Sequence, residues 1–102
     1  MKFSINSLQF DNIIKSKNRS VVESLEFFYT RSDSFSLGFI VRASLGSATK
    51  RNLFRRRCRH AFQLIIENQL PFGVIIKPSF LNVAYNEIYC SLGDILLSIE
   101  KT

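Results

Sequence analysis

The sequence predicts a mixed α/β fold with the element order αββαβα. Three observations carry that expectation. Two β-rich apolar runs, residues 21–29 and 35–43, flank the polar turn Arg31-Ser32-Asp33-Ser34. A cationic amphipathic segment, residues 47–68, leads into a short apolar run at residues 72–76. From Tyr85 or Asn86 onward, Ile88, Leu92, Ile95, Leu96 and Ile99 recur at helical spacing. With 102 residues, 46% of them hydrophobic and ten of them Phe, the chain can fill one core and not two, so residues 1–102 read as one domain.

In chain order, Asn6 or Ser7 caps a short first helix in which Leu8, Phe10, Ile13 and Ile14 recur at roughly helical spacing. Lys15, Lys17 and Arg19 make a basic turn. VVESLEFFY (residues 21–29) reads as one strand and residues 35–43 as a second, apolar enough to be buried on both faces; the two are expected to form a hairpin. Phe27, Phe28, Phe35, Phe39 and Phe72 are assigned to the core. The basic helix extends to about Asn68, where Asn68, Leu70 and Pro71 supply the stop. A strand at 72–76, closed by Lys77-Pro78, follows its predecessor through a helix and therefore predicts a parallel βαβ unit. Residues 79–84 form a loop, and the terminal helix carries Gly93 as its weak spot.

The segment SATKRNLFRRRCRHAF (residues 47–62) holds six of the fourteen basic residues within ten positions, and no acidic residue occurs from residue 34 through residue 66. As a helix it places Phe54, Cys58, Ala61, Phe62 and Ile65 on a core-facing stripe. Asn52, Arg55, Arg56, Arg59 and Gln63 lie opposite, every one a hydrogen-bond donor, and the planar guanidinium fork fits phosphate. Lys50 and Arg51 fall in the first turn after a Ser47 or Thr49 cap, where the macrodipole disfavours cations by roughly 0.3–1 kcal/mol each. The i, i+4 pairs Arg51/Arg55 and Arg55/Arg59 repel as well, by a few tenths of a kcal/mol per pair. A bound polyanion reverses both penalties, so the face reads as a binding surface rather than a solvated one. Arg51 and Arg57 project toward the flanks of the stripe, over the edge of a cleft.

Charge and composition narrow the function further. A net charge of +6 on 11.8 kDa and a pI near 9.8 point to nucleic acid first and an anionic membrane surface second. Residues 1–17 contain no unbroken apolar run of signal-peptide length, and nowhere do eighteen apolar residues follow one another, so the expected location is cytoplasmic. Cys58 and Cys90 read as reduced core residues of a cytosolic protein. His60 is the single histidine, the eight acids are scattered without ligand spacing, and no phosphate-cradling glycine motif occurs, so no catalytic or metal-ligating residue is assigned. A DNA-reading helix lacks the preceding helix of a helix-turn-helix. A lipid- or acidic-protein-docking helix would need the apolar face that the sheet claims.

The run Leu37-Gly38-Phe39-Ile40-Val41, then Leu45-Gly46-Ser47-Ala48, then the residues from Lys50 to Phe62, resembles the protein subunit of bacterial ribonuclease P. That family has a strand, a glycine-containing loop and a helix with an Arg-Asn-Arg, basic-basic, Arg signature. Arg51 and Asn52 match its first two positions, and Arg55, Arg56 and Arg59 the later basic ones. Leu53 stands where the second Arg of the triplet is usual, His60 where Glu is frequent, and Ala43 and Ser44 replace a basic pair before the loop, leaving Arg42 nearby. The resemblance implies an α/β (α+β) sandwich like the second domain of ribosomal protein S5, with a left-handed βαβ crossover against the usual hand.

It further implies an RNA-binding subunit that helps a catalytic RNA remove the 5′ leader of precursor tRNA, with the active site and its Mg²⁺ ions on the RNA. The implied partners are the ribonuclease P RNA and the leader, with no membrane or DNA. Lys50, Arg51, Asn52, Arg55, Arg56, Arg57, Arg59 and His60 would contact RNA. Phe10, Ile14, Tyr29 and Arg42 would line the leader cleft, Ile14 in place of an aromatic.

Overall fold

The computed structural model describes residues 3 and 5–100. Residues 1, 2 and 4, at the start of the stretch read for a targeting signal, lie outside it. The elements are α1 (Ser7–Lys15), β1 (Arg19–Val22), β2 (Leu25–Arg31), β3 (Ser36–Phe39), a 3₁₀ turn (Ala43–Leu45), α2 (Ala48–Ile65), β4 (Phe72–Pro78) and α3 (Tyr85–Glu100). One four-stranded sheet has the order β1-β2-β4-β3. β1 and β4 both pair antiparallel with β2, and β3 pairs parallel with β4 through α2, which is the expected βαβ unit.

Two strand expectations need correction. The run read as a single strand is split by a tight turn at Glu23 and Ser24, so that Val22 pairs with Leu25. Glu23 takes a left-handed φ of 56° there without being glycine, a strain of order 1 kcal/mol or more. The turn is held by the Ser24 hydroxyl donating to the Glu87 carboxylate at 2.9 Å and by the Ser79 amide donating to the Ser24 carbonyl at 2.9 Å. The expected hairpin between residues 21–29 and 35–43 is also absent, because β4 lies between β2 and β3. FGVII is apolar on both faces and takes the centre of the sheet, where both faces are buried. Sequence neighbours are displaced from each other as a result.

The helix ends follow local chemistry. Asn6, not Ser7, caps α1: its side chain accepts from the Gln9 amide at 2.8 Å while the Gln9 side chain accepts from the Asn6 amide at 3.0 Å. Ser47, not Thr49, caps α2 by accepting from the Lys50 amide. α2 stops at Ile65, three residues before the expected Asn68, which instead adopts φ 64° in the following turn.

Alternation along the strands gives the sheet two different faces. Leu25, Phe27, Tyr29, Leu37, Phe72, Val74 and Ile76 join Phe54, Cys58, Ala61 and Phe62 of α2 and Ile88, Leu92, Ile95 and Ile99 of α3 in one buried cluster. Phe62 sits among aromatic edges, with ring centroids 5.3 Å from Phe3, 6.3 Å from Phe35 and 5.6 Å from Phe72. The other face carries α1, seated at Gly73, where a Cβ would lie 2.6 Å from Ser36 Oγ and 2.7 Å from Ile13 Cδ1. That close approach explains why the central strand carries glycine there.

Four core assignments also change. Phe35 and Phe39 are partly buried against the cluster rather than within it. Phe28 is outside it, because it pairs with Ile75 and points to the α1 side. Cys58 is fully buried, but Cys90 is exposed, since it falls off the apolar stripe of α3.

Candidate nucleic-acid interface

The α2 helix presents its cations in three rows rather than on one face. Arg51, Arg55 and Arg59 form the first by i, i+4 spacing. The Arg59 guanidinium lies 5.8 Å from the centre of the Phe39 ring, which places this row on the β3 side. The Nε atoms of Arg51 and Arg59 are buried without a hydrogen-bond partner. Asn52, Arg56 and His60 form the exposed row, and Asn52 Oδ1 accepts from Arg55 at 3.2 Å. Lys50 and Arg57 turn toward the segment before α3, where Arg57 donates to the Val83 carbonyl at 3.3 Å. Among the described residues the ion pair formed is Arg19–Glu26, and no arginine of α2 has a carboxylate within ion-pair distance. The positive charge of the helix is therefore uncompensated among the described residues.

His60 joins an aromatic row that the sequence reading missed. Its Nδ1 lies 2.8 Å from the Tyr85 hydroxyl, its ring centre is 5.4 Å from that of Tyr85, and Tyr89 follows at 6.3 Å. Tyr85 and Tyr89 are i, i+4 on α3, Tyr85 partly buried against the core and Tyr89 exposed. That spacing was the available signal.

On the opposite side of the sheet, Phe10 is half-buried beside Ile5, lining a cavity of about 260 Å³ with Asn6, Ser7 and Asp11. Ile14 is 36% exposed one turn later. Tyr29, assigned to this cleft by residue matching, faces the other way: it belongs to the core under α2 and α3 and is 8% exposed. Neighbouring strand residues point to opposite faces, so the β2 aromatic on the α1 side is Phe28. The Arg19 guanidinium lies 5.8 Å over the Phe28 ring. Lys77 shares the Phe28 face by alternation along β4, and it lines a cavity of about 180 Å³ with the exposed Arg42. Phe10 and Ile14 are thus on the α1 side of the molecule, Phe28 and Lys77 share that side of the sheet beside the fully buried Ile75, and Arg42 lies at the sheet end next to Lys77.

Among the described residues, no group of three or more His, Cys, Asp or Glu side chains is placed to hold a metal ion. Among them no helix is long and apolar enough to cross a membrane. The Cys58 thiol is pushed far up from its ordinary range by burial, against a smaller opposing effect of the Arg59 charge, so it stays protonated.

Comparison with known proteins bears on what this surface serves. The sequence model of the Ribonuclease P family matches residues 5–100. The chain is 29% identical over 98 residues to the ribonuclease P protein component of Mesomycoplasma hyopneumoniae, covering 91% of this chain and 88% of that one. It is 27% identical over 79 residues to the Mycoplasma mobile protein of the same name, covering 76% and 70%. The fold is similar to that of Staphylococcus aureus RNase P protein, with a TM-score of 0.76 at 23% identity over 99% of this chain and 96% of that chain. It is equally similar to the RNase P protein from Thermotoga maritima, with a TM-score of 0.76 at 22% identity over 94% and 96%.

Proposed function

This chain belongs to the ribonuclease P protein family and serves tRNA processing as a protein component of that ribonucleoprotein; on that premise we propose how its two surfaces divide the work. The α2 rows bind the folded RNase P RNA, and the surface between α1 and the sheet takes the single-stranded 5′ leader of precursor tRNA. The observation that carries this reading is the cluster of α2 arginines without a carboxylate partner among the described residues.

Each surface has the chemistry its ligand requires. Arginine forks meet phosphate oxygens with paired, charge-assisted hydrogen bonds and stabilise a dense polyanion that neutral side chains could not. The half-buried Phe10 and Phe28 offer ring faces on which bases of any identity stack, worth roughly 1–3 kcal/mol per base. Lys77 and Arg42 supply cations for the leader backbone. The apolar stripe of α2 is buried in the core, so it has no apolar face to lend to a lipid surface.

In this reading hydrolysis is carried by the RNA subunit and the Mg²⁺ it binds, in the cytoplasm, and the protein supplies no reacting group. It lowers phosphate repulsion between catalytic RNA and substrate and orients the leader. The test is cleavage of a 5′-extended precursor tRNA by an RNase P RNA at low magnesium, with and without the protein. Stimulation by the wild type, lost in Arg55→Ala/Arg56→Ala/Arg59→Ala, is expected. A folded wild type that neither stimulates cleavage nor prefers this RNA over an unrelated one would overturn the assignment. Neutralising about five phosphates predicts a log–log salt slope of roughly −3 to −5.

A further inference from the structure

A cavity of about 290 Å³ lies between the first three turns of α2 and the segment preceding α3, lined by Lys50, Leu53, Phe54, Arg57, Leu81 and Asn82. We propose that it receives one unstacked base of the bound RNA, with Lys50 and Arg57 on the flanking phosphates. The proposal rests on the RNA-binding role of α2 and gives it a specific contact.

The lining sorts by chemistry. Leu53, Phe54 and Leu81 form an apolar floor and walls that phosphate alone would leave unused, whereas the faces of a planar base fill such a slot. The size is at the lower end of ligand pockets, roughly 300–1,000 Å³, which suits one or two rings rather than a larger molecule. Arg57 commits one Nη1 donor to the Val83 carbonyl. A guanidinium has five N–H donors, so the rest stay free while that bond fixes its plane at the cavity wall. Lys50 lies at the positive end of the α2 dipole, which adds to the attraction for phosphate. Asn82 is exposed at the mouth and carries both a donor and an acceptor, the pair that a base edge requires.

The slot is built before any ligand arrives. A Cβ on Gly46 would lie 3.0 Å from Leu81 Cδ1, so the loop before α2 backs this wall at van der Waals range. The Leu81 carbonyl accepts from the Val83 amide at 2.9 Å, and Val83 is itself buried. Little further ordering is needed on binding, which favours affinity. Leu53 adds an apolar side chain to the wall between Lys50 and Arg57.

The experiment measures affinity for the RNase P RNA across a salt series for wild type, Asn82→Trp, Leu53→Ala and Asn86→Trp. Asn82→Trp plugs the mouth and should weaken binding about tenfold with an unchanged salt slope, because a base contact rather than a phosphate contact is lost. Leu53→Ala should weaken it several-fold, also at constant slope. Asn86→Trp, exposed on α3 outside the cavity, should bind as wild type. Wild-type affinity for Asn82→Trp, or a loss that appears only as a flatter slope, overturns the base slot while leaving the role of α2 intact. Failure of the wild-type protein to prefer this RNA overturns the underlying reading instead. Unchanged thermal unfolding of both tryptophan variants keeps folding defects out of the comparison.

Discussion

The two faces of the sheet differ in how completely they are closed. Under α2 and α3 three of the four strands contribute buried side chains, and Phe62 is surrounded by the edges of three other rings. Under α1 a nine-residue helix is seated through Ile13, leaving Phe10 half-buried, Ile14 at 36% exposure and Phe28 outside the core. Burial at about 25 cal/mol per Å² makes the first face the source of stability. The second retains apolar surface that a ligand can still remove from water. On the proposed reading, folding belongs to one face and leader recognition to the other, while α2 buries one stripe in the closed face and displays its arginines outside it.

Removing the ring at the centre of the closed face gives the largest expected effect. Phe62→Ala should cost about 3–5 kcal/mol, enough to unfold a marginal domain, as read by urea or thermal unfolding. Its counterpart on the open face, Phe28→Ala, should cost only about 1 kcal/mol yet weaken leader binding by the 1–3 kcal/mol of a lost stacking platform. Fluorescence anisotropy with a short single-stranded leader checks it. Equal stability losses for the two variants would erase the distinction between the faces.

The cysteines sharpen the same comparison by a different probe. Cys90 should react with a thiol reagent in the native protein and Cys58 only on unfolding. The Cys58 thiol is raised by burial in the folded state, so its contribution to stability is complete below the unfolded value of about 8.5 and falls as pH rises above that value toward the folded one. The loss is at most about 1.4 kcal/mol per pH unit. Cys58→Ala should flatten that part of the alkaline stability profile, whatever its own packing cost. A profile parallel to wild type would show that the thiol does not stay protonated in the core.

How much of this was legible depended on whether a signal was local. The α2 stripe, the α1 cap and the α3 periodicity were readable because each lies within a few residues of itself. The Glu23–Ser24 turn was not, since a glutamate in the left-handed region carries no sequence mark and is held by Ser79 and Glu87, more than fifty residues away. The central place of β4 depends on competition among strands, which no single segment records. Tyr29 against Phe28 was decided by strand parity, where a one-residue slip exchanges faces. Here the sequence did contain the answer: Leu25, Phe27 and Tyr29 alternate with Glu26, Phe28 and Thr30, so the polar set marks the open face and Phe28 travels with it. The cavity at Leu53 and Asn82 joins residues from two distant segments and was invisible until the loop folded back on α2.

The smallest expected effect compares the helix caps on the two sides. Asn6→Ala and Ser47→Ala each remove a side-chain acceptor from a first-turn amide, at roughly 1 kcal/mol. The costs should be expressed differently. α2 is locked by Phe54, Cys58, Ala61 and Phe62, so Ser47→Ala should lower global stability while amide exchange in the middle of α2 still requires global unfolding. α1 buries only Ile13, so Asn6→Ala should let it open locally, with faster exchange confined to residues 7–15 and weaker leader binding at nearly unchanged thermal stability. Uniform acceleration across both helices would instead mean that α1 is part of the same cooperative unit as the closed face, and that the open side is rigid before the leader arrives.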